Sequence, residues 1–129
     1  MLPRRRLHAR YGGGYALVTG ASDGLGKEYA RNLAKEGFNL VLMARDQDKL
    51  DVVACEIRQE FKVKTIVICY DFSKLATLES VEELKLILVK RLPADVSILV
   101  NNVGCSKTGV LGKHSIWDTM RQINVNINS

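Results

Sequence analysis

The stretch YALVTGASDGLGKEYARNLAKEGFNLVLMAR, residues 15–45, decides the fold. It opens on YALVT (15–19), a short β-rich run with the continuous apolar character of a strand buried on both faces. A helical face of Leu25, Tyr29, Ala30, Leu33 and Ala34 follows, stopped by Gly37, and NLVLMA (39–44) is a second strand. Between the first strand and the helix lies TGASDGLG, with three glycines. Gly20 permits a tight turn off the strand, Gly24 lets backbone approach a pyrophosphate, and Gly26 allows close packing of helix on strand. A helix start also offers unpaired N–H donors to an anion. Gly20, Ser22, Asp23, Gly24, Leu25 and Gly26 are therefore the candidate phosphate cradle. The spacing is G-x-x-x-G-x-G, not the more familiar G-x-G-x-x-G, and a glycine trio by itself also serves as a plain turn. Its position in the first strand–helix unit is what points to phosphate.

Outward from this stretch the same alternation continues. Leu50, Val53, Ala54, Ile57 and Phe61 make a second helix face, and KTIVIC (64–69) a third strand. Leu75, Leu78, Val81, Leu84 and Leu88 run along a third helix ending before Pro93, and VSILV (96–100) is a fourth strand. After a polar loop, Ser115 and Asp118 give the Ser-x-x-Asp start of a capping box, with Ile116, Met120, Ile123 and Ile127 along one face. Strands and helices thus alternate, and the strands read as unbroken apolar runs. The expected fold class is α/β, a Rossmann-type doubly wound parallel sheet with helices on both faces, truncated after about four strands.

Composition bounds the rest. The 129 residues suit one domain, mean hydropathy is near zero, and no run of about 18 apolar residues exists to span a membrane. The net charge of +5 is local: Arg4, Arg5, Arg6 and Arg10 account for four of nineteen basic residues, leaving fifteen against fourteen acids. We therefore divide the chain into a basic arm, 1–14, and a nucleotide-binding part, 15–129. The arm suits anionic lipid or nucleic acid, but no aromatic residue interleaves its arginines, so the reading taken is a solvated, disordered terminus with no nucleic-acid partner. It is not followed by an apolar stretch and does not read as a signal peptide. Cys55, Cys69 and Cys105 are odd in number and widely spaced, which gives neither a disulfide framework nor a metal knuckle. No metal is expected. Cys55 and Cys69 fall in apolar periodic segments and are expected in the core.

TGASDGLG together with NNVG (101–104) resembles the short-chain dehydrogenase/reductase family. Within it, YALVTGASDGLGKEYARNLAKEGFNLVLMAR, the Asp-Phe pair at 71–72, ILVNNVG and INVNI are similar to the branch of 17β-hydroxysteroid dehydrogenases and very-long-chain 3-oxoacyl-CoA reductases, over residues 11 to 129. The resemblance implies an oxidoreductase that interconverts a ketone and an alcohol, on a 3-oxoacyl-CoA or a steroid. It implies that Asp71 meets the adenine amino group, that Asn101 and Asn102 brace the fourth strand beside the adenosine with Gly104, and that Asn124 joins a proton path. As loop chemistry alone, Asp and Asn at strand ends need no such role. The resemblance also makes the helix from Ser115 a dimer interface and places the enzyme at the endoplasmic reticulum. Such relatives carry a hydrophobic N-terminal segment that MLPRRRLHAR lacks, so the cytoplasm is the alternative.

Cofactor choice can be argued locally. NAD-binding versions put an acid at the end of strand two to accept ribose hydroxyls. Here that place reads Ala44-Arg45. Arginine cannot accept those bonds, but its fork suits a 2′-phosphate, which Ser22 can also reach. NADP(H) is expected; the competing reading makes Asp46 the ribose acceptor and leaves Arg45 solvated.

The family's proton chemistry uses a serine and a Tyr-x-x-x-Lys pair on one helix. Tyr70 and Lys74 match that spacing literally, but Tyr70 closes the third strand and Lys74 is expected to open the next helix, so they straddle a turn and cannot share a helix face. No other tyrosine has a lysine four places on. The helix from Ser115 carries no stop signal before Ser129. The expectation is an N-terminal portion that keeps the cofactor half, exposes VSILV as a sheet edge and does not turn over alone. A truncated protein that binds nucleotide or partners without catalysis is the alternative.

Overall fold

The computed structural model describes residues 7–110 and 112–127. Arg4, Arg5 and Arg6 of the basic arm, and Asn128 and Ser129 after INVNI, lie outside the described residues. In chain order the elements are α1 (Leu7–Arg10), β1 (Tyr15–Thr19), α2 (Gly24–Lys35), β2 (Asn39–Ala44), α3 (Gln47–Phe61) and β3 (Thr65–Cys69). A 3₁₀ turn (Phe72–Lys74), α4 (Leu78–Arg91), β4 (Val96–Val100) and α5 (Ile116–Asn126) complete it. The four strands form one parallel sheet in the order β3-β2-β1-β4.

The unbroken apolar strands have a direct physical meaning, because successive side chains point to opposite faces of a sheet. Ala16, Val18, Leu40 and Leu42 enter a core with Ala30, Leu33, Leu50, Val53 and Ile57 of α2 and α3. Leu17, Val41 and Met43 enter a second core on the other face with Ile68, Tyr70, Phe72 and Leu75. Each fully buried leucine or isoleucine contributes roughly 1.5–3 kcal/mol over exposure. The two faces are unequally covered. α4 contributes only partly buried Leu84, Ile87 and Leu88, and α5 buries only Asn124 and Val125.

Several expectations are corrected here. Leu25 (72% exposed) and Tyr29 lie on the outer side of α2, so the buried stripe is narrower than the apolar one. Leu75 is buried but precedes α4, and Leu78, the first residue of that helix, is exposed. Cys55 and Cys69 are exposed: Cys55 sits on the outward side of α3, opposite Leu50, Val53, Ala54 and Ile57, and Cys69 ends the edge strand β3. The apolar face of α5, Ile116, Met120, Ile123 and Ile127, is exposed to solvent. Part of the basic arm is ordered as well. The His8 ring lies 5.1 Å from Phe38, Leu7 N–H donates to Glu36, and Ser97 Oγ donates to Gly13 O at 2.5 Å.

Candidate functional site

The C-terminal ends of parallel strands converge where β1 passes into α2 and β4 into its loop, and this is where such sheets bind ligands. Asp23 caps α2, its side chain accepting from Gly24 N–H at 2.8 Å. The N–H groups of Leu25 and Gly26, in the first turn, have no acceptor within the helix by geometry. Gly20 has φ +66°, and a Cβ there would press on Asn102 and Val103. A Cβ at Gly26 would collide with Gly20 O, whereas one at Gly24 would meet nothing within 4 Å. The tight glycines are thus packed inward and the open one faces outward, leaving backbone that a phosphate can approach.

Thr19 ties this turn to NNVG, a link that sequence reasoning missed. Its Oγ1 accepts from Asn102 N–H at 3.0 Å and Val103 N–H at 3.1 Å, and donates to Val100 O at 3.4 Å. Asn102 Nδ2 donates in turn to Thr19 O at 3.1 Å. Asn101 is exposed and takes no part in this brace.

A groove of about 270 Å³ opens above these strand ends. It is lined by Gly20, Ser22 and Asp23 of the glycine turn, by Arg45 after β2, by Asp71 after β3, and by Asn102 and Gly104 after β4. Gly24, Leu25, Gly26, Asn101 and Asn124 lie outside that lining. Arg45 and Ser22, expected together, share the wall. Asp46 caps α3, with Oδ1 accepting from Lys49 N–H at 3.0 Å, so one of its oxygens is already engaged. Arg45 makes no ion pair among the described residues.

Electrostatics separate the roles further. Partial burial raises the Asp71 carboxyl pKa, but the Ser73 N–H and hydroxyl, then Arg45 and Lys74, outweigh it and hold the group below its ordinary value. Asp23 is also lowered, by Gly24 N–H and by Lys49 at 3.3 Å. Tyr70 moves the other way: burial, with Glu83 and Asp71 nearby, raises its pKa. That direction is wrong for a proton-exchanging tyrosine. Tyr70 follows β3 and packs edge-on against Phe72, while Lys74 ends the 3₁₀ turn, so the pair shares no helix face.

α5 begins as its sequence indicates, with Ser115 Oγ accepting from Asp118 N–H at 3.1 Å. Asn124 is buried and donates to Ser73 O, in the turn after β3, at 3.3 Å. Asn126, which sequence reasoning passed over, is the residue that grips the loop after NNVG. Its Oδ1 accepts from Cys105 N–H and its Nδ2 donates to Cys105 O, both at 2.8 Å. In a tail reading Asn-Val-Asn, composition gives no signal of which asparagine points where. Arg121 and Val125 also line the groove. Arg121 reads in sequence as an ordinary polar-face residue of an amphipathic helix.

A sequence profile of the short chain dehydrogenases matches residues 14–129. The very-long-chain 3-oxoacyl-CoA reductase of Schizosaccharomyces pombe is 49% identical over 94 residues, covering 73% of this chain and 26% of that protein. The human protein of the same name is 46% identical, with coverages of 73% and 28%. Among solved structures, a short-chain dehydrogenase from Sphingobium yanoikuyae in complex with NADPH superposes with a TM-score of 0.74 at 35% identity, over 89% of this chain and 43% of that one. The chain therefore spans about a quarter of the length of the curated relatives it matches.

Proposed function

The chain belongs to the short chain dehydrogenase family, and on that premise we propose that it binds NADP(H) for an enzyme that interconverts a ketone and an alcohol. The bound nicotinamide would supply or accept the hydride. This chain's own residues hold the other end of the cofactor. The N–H groups of the first turn of α2 and the open backbone at Gly24 receive the pyrophosphate, with Ser22 and Asp23 beside them. Arg45 and Ser22 take the 2′-phosphate, and Asp71 meets the adenine amino group. Asn102 holds the loop in register through Thr19. Gly104 lines the same groove.

The observation that carries the cofactor choice is at the end of β2. Arg45 lines the groove and makes no salt bridge among the described residues, with Asp71 near enough only for a longer-range attraction, while Asp46, the rival ribose acceptor, caps α3. Arg45→Asp tests it. NADPH binding should weaken at least tenfold, on the order of the 1.4 kcal/mol or more expected for a lost charge-assisted fork, while NADH binding holds or tightens. Equal effects on both dinucleotides contradict it.

For proton handling we assign the loop-bracing role to Asn126, not Asn124, because Asn126 holds both backbone groups of Cys105. Asn124 instead seats α5 on the 3₁₀ turn. The substrate of the complete enzyme is a 3-oxoacyl-CoA, as in the names of the curated relatives, with a steroid as the second candidate. Fatty-acid elongation at the endoplasmic reticulum belongs to the same reading. Among the described residues no helix is long and apolar enough to cross a membrane. These 129 residues alone are expected to bind cofactor without reducing a ketone, since Tyr70 and Lys74 do not form the required pair. The exposed apolar stripe of α5 supports self-association as its further role.

A further inference from the structure

We propose that Arg121 on α5 is an adenine-contact residue, covering the base of the bound dinucleotide and contributing affinity that does not depend on the 2′-phosphate; this rests on the NADP(H) reading above. The placement comes from how α5 is seated. Asn124 Nδ2 donates to Ser73 O at 3.3 Å and Val125 is buried, which docks the helix beside the 3₁₀ turn that follows β3. Arg121 is four residues before Val125 and so lies on the same helix face. Both line the groove that Arg45, Asp71 and Phe72 also line.

The charge of Arg121 enters no salt bridge among the described residues. Its neighbour on the helix, Asp118, is taken by Lys107 Nζ at 2.5 Å and Ser115 Oγ at 2.8 Å. Asp71 turns its carboxylate to Ser73 N–H at 3.0 Å. Among the described residues no carboxylate pairs with Arg121. A guanidinium is planar and weakly hydrated, so it can lie flat on an aromatic face, whereas a compact, strongly hydrated ammonium meets such a face only as a point charge. The same groove is lined by the edge-on Tyr70–Phe72 pair, its ring centroids 5.3 Å apart. A purine entering a groove lined by aromatic rings and by a guanidinium in no salt bridge among the described residues is a match of shape and polarisability. Arg121 enters from α5, whereas Arg45 and Ser22 enter from the ends of β2 and β1, so the two arginines meet different parts of the nucleotide.

The test titrates NADPH and NADH into the 129-residue chain and its Arg121→Ala and Arg121→Lys variants by calorimetry, with circular dichroism as the check on folding. Arg121→Ala should weaken both dinucleotides by the same factor, roughly three- to thirty-fold, and lysine should restore little of it. An unchanged affinity, a loss confined to NADPH, or full rescue by lysine overturns the proposal. Arg45→Asp, run beside these, separates the two readings: if it leaves NADPH binding intact, the 2′-phosphate reading falls while an equal loss in Arg121→Ala still stands. Failure of the unaltered chain to bind either dinucleotide overturns both.

Discussion

Asp71 shows how one side chain couples the site to the stability of the fold. Its carboxylate accepts from Ser73 N–H at 3.0 Å and sits near Arg45 and Lys74, so its folded pKa lies below the ordinary 3.8 despite partial burial. A depressed folded value means that ionised Asp71 favours the folded chain. That contribution is complete above the unfolded value and disappears as pH falls through the folded one. Thermal midpoints measured from pH 5 downward should therefore drop less steeply for Asp71→Asn than for the unaltered chain; parallel curves contradict this. At the same scale, residue identity was legible in the sequence and residue direction was not. The glycine turn and Arg45 could be picked out because their chemistry is tied to a strand end. Thr19, Asn126 and Arg121 could not, since a threonine ending a strand, the second of two nearby asparagines and a helix arginine carry no pattern that fixes their partners.

Among the elements, the strands were the most readable. YALVT, NLVLMA and VSILV match β1, β2 and β4 to the residue; β1 and β2 are apolar because they are covered on both faces, whereas β4 is an edge strand with alternate residues exposed. The helices were half readable. Periodicity marks an apolar face but not what lies against it, which is why Leu25, Tyr29 and the stripe of α5 are exposed. The same limit applies to Cys55 and Cys69, which sit in periodic segments but on their outer sides. α5 thus presents Ile116, Met120, Ile123 and Ile127 to solvent, with Trp117 beside them. A contiguous apolar stripe of this kind favours association. Mass measured by light scattering across a concentration series should rise for the unaltered chain and stay monomeric for Met120→Lys, whose melting curve should be unchanged because the residue is only partly covered. A monomer at every concentration in both would rule out α5 as an interface.

For the whole molecule, the asymmetry between the two cores matters most. The face carrying α2 and α3 is closed, whereas the face carrying α4 and α5 is thinly covered and β4 is a sheet edge with Leu99 60% exposed. The better-built side is the one that holds the glycine turn in place: β1, β2, α2 and α3 are pinned further by Lys27–Glu56 at 2.8 Å and Arg31–Glu60 at 2.6 Å. The proposed nucleotide site is therefore framed by the more fully buried of the two cores, and proton exchange with a carbonyl finds no helical tyrosine–lysine pair among the described residues. The central claim is that these residues form a site for the phosphorylated dinucleotide. It is tested most directly by titrating NADPH and NADH into the unaltered 129-residue chain. Saturable binding of NADPH at least tenfold tighter than NADH, on the order of 1.4 kcal/mol, is expected; equal affinity for the two, or tighter binding of NADH, would contradict a 2′-phosphate site.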